Sequence, residues 1–308
     1  MHVAIIGPGL MGSQIACEYA LGGHDVTVIY RRRDLAEQRL DNAWQVAAKA
    51  ELASDDQLKA ARERISLAPG LDAVTRAPDL VVESVVEDVE AKIAVFKDVA
   101  SRWPNAILAS NTSAIPITKL GEGAGAPERT VGTHYWNPPL LMPLVEVISG
   151  ERTSPDVVSR TMDVLRALGK RPMHVRRDVT GFLWNRLQLA LLREAVWIVE
   201  QGVADRAVVD EVVRNGLARR WRQTGPFETM ALGGPDTFAR VAALIFPELS
   251  NAKELRDPQR LLNFEPGELE AIRQRRDAGL IEELRRDWAT GQVARETASD
   301  GSVKSEER

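Results

Sequence analysis

Residues 2–12, HVAIIGPGLMG, decide the fold. His2 to Ile6 is a short apolar run, and it ends in Gly7-Pro8-Gly9-Leu10-Met11-Gly12. From Met11 to Leu21 the apolar residues take up helical spacing. A Gly-x-Gly-x-x-Gly set between a strand and a helix suits a nucleotide's phosphates. Gly7 makes the tight turn, Gly9 lets the backbone approach a pyrophosphate, and Gly12 lets the helix pack closely on the strand. The helix start at Leu10 and Met11 adds backbone N–H groups and the positive end of the helix dipole. The same glycines would also serve a plain turn that packs a helix on a sheet. The strand–turn–helix context favours the nucleotide. The expected fold class is therefore α/β: a Rossmann-type, doubly wound, mostly parallel sheet, followed by a C-terminal all-helical domain.

Working outward, the next strand, Asp25 to Ile29, should end in an acid that accepts a hydrogen bond from a ribose 2′-hydroxyl. It ends instead in Tyr30-Arg31-Arg32-Arg33. A tyrosine does not replace a carboxylate as a paired acceptor, and arginines are natural partners of a 2′-phosphate. The residues thus favour NADP(H) over NAD(H), against the reading that the arginines are a solvated helix start. Residues 34–64 read as a helical excursion, interrupted near Ser54-Asp55-Asp56, where a second helix can be capped. Asp79 to Glu83 is a buried strand, followed by a helix to about Arg102. Glu87 and Lys92 lie at the mouth of that turn, on the side where an open α/β sheet binds its ligand. Taken locally they are as well explained as surface charges. Ala106 to Ser110 is a further strand running into Asn111-Thr112-Ser113, whose short polar side chains either cap the next turn or meet a substrate.

The chemistry is expected in residues 131–150, VGTHYWNPPLLMPLVEVISG. They read as a strand (Thr130 to His134), a turn stiffened by Pro138, Pro139 and Pro143, and a second strand (Leu144 to Ser149). The turn brings back the chain, so His134 and Glu146, 146 − 134 = 12 positions apart, can face each other. A carboxylate beside an imidazole fixes its tautomer and stabilises the imidazolium, which makes the ring a better proton acceptor. The alternative is a core histidine satisfied by backbone beside an unrelated glutamate. A helix from Pro155 to Leu168 and a last strand, Pro172 to Val175, complete the pattern.

Near Arg177 the alternation stops. The first domain is expected at residues 1–177, a helical domain at 178–294, and a disordered polar tail at 295–308. Residues 182–199, FLWNRLQLALLREAVWIV, are apolar on most faces and read as a buried helix with Asn185 near its beginning. Further helices are expected at about Arg206 to Asn215, Glu228 to Phe246 and Glu268 to Trp288. Tyr135, Trp136, Leu140, Leu141, Trp184 and Trp221 suggest an aromatic-lined apolar pocket or plain core.

A chain of 308 residues suits two domains. Its net charge of −4 leaves no nucleic-acid footprint. Cys17 is the single cysteine, so neither an internal disulfide nor a cysteine zinc cluster can form, and no metal is expected. No basic leader opens the sequence and no apolar run reaches the ~18 residues of a membrane span. A cytoplasmic setting is the expectation.

Together, GPGLMG at 7–12, VVESVVEDVEAK at 81–92, SNTS at 110–113, THYWNPPLLMPLVEVISGERTSP at 133–155 and DVTGFLWNRLQ at 178–188 form a specific combination. From Gly7 to about Trp288 the chain resembles the 3-hydroxyacyl-CoA dehydrogenase family. HYWNPPLLMPLVE and TGPFETMAL (224–232) make it similar to the short branch that includes λ-crystallin and L-gulonate 3-dehydrogenase. The resemblance implies that His134 is the general base and acid, that Glu146 orients it, and that Ser113 and Asn185 hold the reacting oxygen. It further implies cofactor contacts at Glu87, Lys92, Ser113 and Asn137, and a homodimer built through the helical domain.

Tyr30 departs from the NAD-specific pattern, so cofactor choice is not inherited. The excursion also lacks a clear match to the serine and lysine that CoA-binding members carry. The reading is an NAD(P)-dependent oxidoreductase interconverting a small 3-hydroxy acid, or a related alcohol, and its 3-keto form. The alternatives are a true 3-hydroxyacyl-CoA dehydrogenase acting on CoA thioesters and a non-catalytic, crystallin-like cofactor-binding protein. A reductase built on a lysine acid finds no candidate closer than Lys170.

Overall fold

The computed structural model describes residues 1–255, 258 and 263–290; the expected tail lies outside them. Two compact units emerge. The first is Met1–Leu183 together with the described residues from Glu270 on, and the second is Trp184–Leu269.

The first unit is built on one eight-stranded sheet: β1 (His2–Ile6), β2 (Asp25–Ile29), β3 (Ile65–Ala68), β4 (Leu80–Glu83), β5 (Ile107–Ser110), β6 (Thr130–Tyr135), β7 (Leu144–Ser149) and β8 (Arg171–Val175). Their order is β3-β2-β1-β4-β5-β6-β7-β8. Every neighbouring pair is parallel except β6 and β7, which form the antiparallel hairpin. The order reverses at β1, the switch point where such sheets bind ligands beyond their carboxyl ends. The doubly wound, mostly parallel sheet is the expected one.

Helices cover both faces, which is why every residue of β1 and β4 is buried rather than alternating between core and solvent. On one face α1 (Leu10–Leu21), α2 (Arg33–Lys49) and α3 (Asp55–Glu63) bury Ile5, Tyr19, Trp44 and Tyr135. On the other, α4 (Val89–Arg102) and α5 (Ile117–Ala124) bury Phe96, Leu108, Leu120 and Phe182. α6 (Pro155–Ala167) follows β7. Ser54 caps α3 through a reciprocal box with Gln57, as the polar interruption there implied. The strand β3 falls directly after the excursion and was not foreseen. It is a four-residue edge strand with one buried residue, too short to show a period.

The second unit is helical: α7 (Trp184–Glu200), α8 (Arg206–Glu211), a π-helical stretch Val212–Ala218, α9 (Arg219–Trp221), α10 (Pro226–Gly233) and α11 (Pro235–Ile245). Two expectations are corrected. The helix expected over 228–246 is two helices, because Gly234 adopts φ of +87° and Pro235 restarts the chain. The helix expected to be buried, α7, has no buried residue; Leu187 and Leu189 are 68 % and 55 % exposed. Its apolar faces are not covered among the described residues.

Candidate active site

The glycine turn meets the steric demands of a dinucleotide cradle. Gly7 has φ of +92°, and a Cβ there would lie 2.6 Å from the Ser84 carbonyl oxygen. A Cβ on Gly12 would lie 2.2 Å from the Gly7 carbonyl oxygen, so helix and strand touch backbone to backbone. Around Gly9 nothing lies within 4 Å of the same position. No side chain caps Gly9 at the start of α1, and the first turn holds no acid. The exposed Leu10 and the half-buried Met11 follow it. Open space over an uncapped helix N-terminus is what a pyrophosphate requires, so these residues fit the group.

At the end of β2, Tyr30 is half-buried and Arg31 and Arg32 are exposed. Arg32 pairs with Asp34 at 2.7 Å and Arg33 with Glu37 at 2.8 Å. Two of the three arginines are therefore matched by acids of their own helix.

On the far side of the switch point a buried network organises two loops. Glu83, at the end of β4, accepts from the amide of Val85 at 2.6 Å and from the Ser110 hydroxyl at 2.6 Å. It also pairs with Lys92 Nζ at 2.8 Å, both side chains being within 1 % of full burial. Lys92 reaches on to Glu87 at 3.3 Å. Glu87 in turn accepts from the Thr112 hydroxyl and from the amides of Ser113 (2.8 Å) and Ala114 (3.2 Å). Burial pushes the Glu87 carboxyl up, but the Thr112 hydroxyl, the Lys92 ammonium and the Ser113 amide outweigh it and hold it below the ordinary range. Lys92, expected at the cofactor, is thus 1 % exposed with its ammonium between Glu83 and Glu87. Ser113 is exposed on the loop that Glu87 shapes.

The hairpin β6–β7 sets His134 directly opposite Glu146. Nδ1 of His134 lies 2.6 Å from Oε2 of Glu146, with the side chains 6 % and 2 % exposed. The other oxygen of Glu146 accepts from the amide of Leu183 at 3.0 Å. A carboxylate at Nδ1 keeps the proton there and leaves Nε2 as the basic nitrogen. Behind the ring stands Phe182, whose centroid is 5.7 Å away. Phe182 is fully buried with φ of +50°, a conformation that costs a non-glycine residue of order 1–3 kcal/mol. Gly181, at φ of +79°, opens that corner. The corner puts the Leu183 amide on Glu146. Sequence reasoning assigned Phe182 only to the start of a helix; the Thr-Gly-Phe turn before it was the available signal.

Asn111 was also missed as a specific contact. Its side chain accepts from the Tyr135 amide at 3.0 Å and donates to Ser84 at 3.2 Å, joining the ends of β4, β5 and β6. Asn137 is exposed just beyond β6, and its peptide bond to Pro138 is cis. Asn185 lies half-buried on α7 of the second unit. Of the residues read as pocket lining or plain core, Tyr135, Leu140 and Leu141 are core, at 2 %, 4 % and 2 % exposure. Trp184 and Trp221 are exposed in the second unit.

A nucleotide cradle at the switch point, with a histidine–carboxylate pair on the same sheet, defines a nicotinamide-dependent dehydrogenase acting on CH–OH groups. Comparison with known proteins narrows the class. Residues 2–179 match the model of the 3-hydroxyacyl-CoA dehydrogenase NAD binding domain, and residues 181–266 match that family's C-terminal domain. The chain belongs to the 3-hydroxyacyl-CoA dehydrogenase family. It is 36 % identical to 5-formyl-3-hydroxy-2-methylpyridine 4-carboxylate 5-dehydrogenase of Mesorhizobium japonicum, over 82 % of each chain. It is 36 % identical to L-carnitine dehydrogenase of Burkholderia mallei, over 77 % of this chain and 74 % of that one. A crystal structure of the pyridine-carboxylic acid 5-dehydrogenase, described as an NAD+-dependent dismutase, superposes with a TM-score of 0.82. The two are 32 % identical, and the match covers 92 % of this chain and 97 % of the other. Among the described residues no helix is long and apolar enough to cross a membrane.

Proposed function

We propose that the protein interconverts a small 3-hydroxy acid, or a related alcohol, and its keto form, with His134 as general base and acid. The observation that carries this reading is the 2.6 Å contact of His134 with Glu146 on adjoining strands. The site would hold the dinucleotide through Gly7, Gly9, Leu10, Met11 and Gly12, with the Glu87–Ser113 loop and Asn137 on its far half. The bound nicotinamide supplies the acceptor for the hydride that leaves the carbinol carbon. Nε2 of His134 takes the hydroxyl proton, Glu146 stabilises the imidazolium, and Ser113 donates to the carbonyl oxygen as it forms. In reverse, the imidazolium returns its proton to the ketone oxygen.

A free acid is favoured over a CoA thioester. Phosphates want clustered cations, yet the arginines at the start of α2 pair with their own acids, and the Arg62 guanidinium lies over the Trp44 ring at 5.4 Å. The two relatives above are named for L-carnitine and a pyridine carboxylate rather than for CoA esters.

For the cofactor, the arginines at the end of β2 suggested NADP(H). The ion pairs of Arg32 and Arg33, the family's NAD binding domain and a relative described as NAD+-dependent support NAD(H) instead. The uncovered apolar faces of α7 support a homodimer through the second unit, which sedimentation of the purified protein checks.

The experiment is a screen of β-keto acids, free and CoA-linked, with NADH and NADPH. A free acid reduced at the highest kcat/KM, with NADH at least as good as NADPH, is the expected result. Acetoacetyl-CoA far exceeding every free acid would establish the thioester reading. A tenfold preference for NADPH would restore the arginine argument. Binding of the dinucleotide with no turnover of any β-hydroxy or β-keto compound would favour the non-catalytic, crystallin-like reading.

A further inference from the structure

We propose that Lys170, with Glu18 and Gln14, positions the loop between β6 and β7 so that it meets the nicotinamide half of the cofactor. Lys170 precedes β8, and its ammonium has three acceptors for its three protons. They are Glu18 at 2.6 Å and the carbonyls of Pro139 at 2.7 Å and Met142 at 3.0 Å. Gln14, one helical turn before Glu18 on α1, accepts from the amide of Leu140 at 3.3 Å. All three side chains are less than 10 % exposed.

α1 thus has two tasks. Its first turn faces the pyrophosphate, and the next two turns, through Gln14 and Glu18, hold the loop on which Asn137 stands. The same lysine cannot be the acid of a different reductase mechanism, because it is sealed on the α1 side of the sheet. The His134 and Glu146 side chains lie on the opposite side, against Phe182.

A buried ion pair is a poor device for stability alone, since well-packed apolar residues of similar volume do as well or better. This pair is also incompletely satisfied: Oε2 of Glu18 is buried without a hydrogen-bond partner among the described residues. Burial pushes the Glu18 carboxyl up, and Lys170 opposes this. What the arrangement does provide is direction. It fixes two carbonyls and one amide of the eight-residue loop 136–143 against a helix whose own start would face the cofactor.

The strand order locates the consequence. β2 ends at the adenosine side of the crevice, and β6 lies beyond β4 and β5 on the other half of the sheet. A loosened 137–142 loop should therefore weaken contacts to the nicotinamide half and leave the adenosine half intact.

The inference rests on the dinucleotide reading of the site but on no particular substrate, so the test is direct titration. NADH and the fragment ADP-ribose are titrated into the wild type, Lys170→Met and Gln14→Ala, following tryptophan fluorescence. Lys170→Met is expected to raise the Kd for NADH by about tenfold, in keeping with the cost of a sub-ångström misplacement, and to leave ADP-ribose within about twofold. Gln14→Ala, which keeps the ion pair, should show the same split with a smaller rise, and it serves where Lys170→Met does not fold. Equal losses for both ligands would mean general loosening and overturn the proposal, as would wild-type affinities for both. A wild type that binds NADH normally but reduces none of the tested acids would count against the substrate reading alone.

Discussion

At the scale of the residue, the site turns on one imidazole whose two nitrogens have been given different surroundings. Nδ1 of His134 faces a carboxylate that is itself anchored at its second oxygen by the Leu183 amide, so neither partner can rotate away. Replacing Glu146 by glutamine keeps the shape and removes the charge that stabilises the protonated ring. The expected outcome is a kcat lowered by about tenfold or more. A Glu146→Gln enzyme that turns over at the wild-type rate would show that the two side chains do not act as a pair. This pair was legible because a proline-stiffened turn between two short apolar strands dictates register, and register sets opposite residues face to face. The Lys170–Glu18 pair was not legible. Helical spacing shows which face of α1 is buried, but nothing local in the sequence says that a lysine before β8 lies against it.

At the scale of the element, β1 and α1 are locked together by two glycines whose roles differ. Gly12 is in contact with the Gly7 backbone, whereas Gly9 looks into open space. Gly12→Ala is expected to lower the melting temperature, with a loss of about 1–3 kcal/mol for overpacking, and to weaken NADH binding as well. Gly9→Ala should melt like the wild type yet bind NADH less tightly, because its new methyl group meets only the ligand. Calorimetry and NADH titration on the two variants separate these effects; a Gly9→Ala protein with undiminished affinity would move the pyrophosphate elsewhere. Element boundaries were readable where punctuation is strong, as at Ser54 before α3. They were lost where it is weak. β3 follows α3 with no glycine or proline between them, and the break at Gly233-Gly234 was passed over inside an otherwise helical pattern.

At the scale of the whole molecule, the chain divides into a sheet-centred unit that carries the cradle and the His134–Glu146 pair, and a helical unit that carries Asn185. Strand and helix periods alternate up to β8 and only helical spacing follows, which put the expected boundary near Arg177; the compact units part after Leu183, and the described residues from Glu270 on belong to the first unit, which no local pattern announces. The burial of α7 was misread because apolar composition says that a face must be covered, not whether this chain or another covers it. A second copy would cover it, and a sedimentation mass near twice that of one chain is the expected result; a monomer at working concentrations would leave those faces in water and oppose the dimer. The most direct measurement of the central claim is steady-state kinetics of His134→Ala beside its NADH affinity. The account predicts a kcat lower by about 10²–10⁴, as for loss of a general acid–base, with the NADH Kd essentially that of the wild type. A His134→Ala enzyme that turns over at the wild-type rate would contradict it.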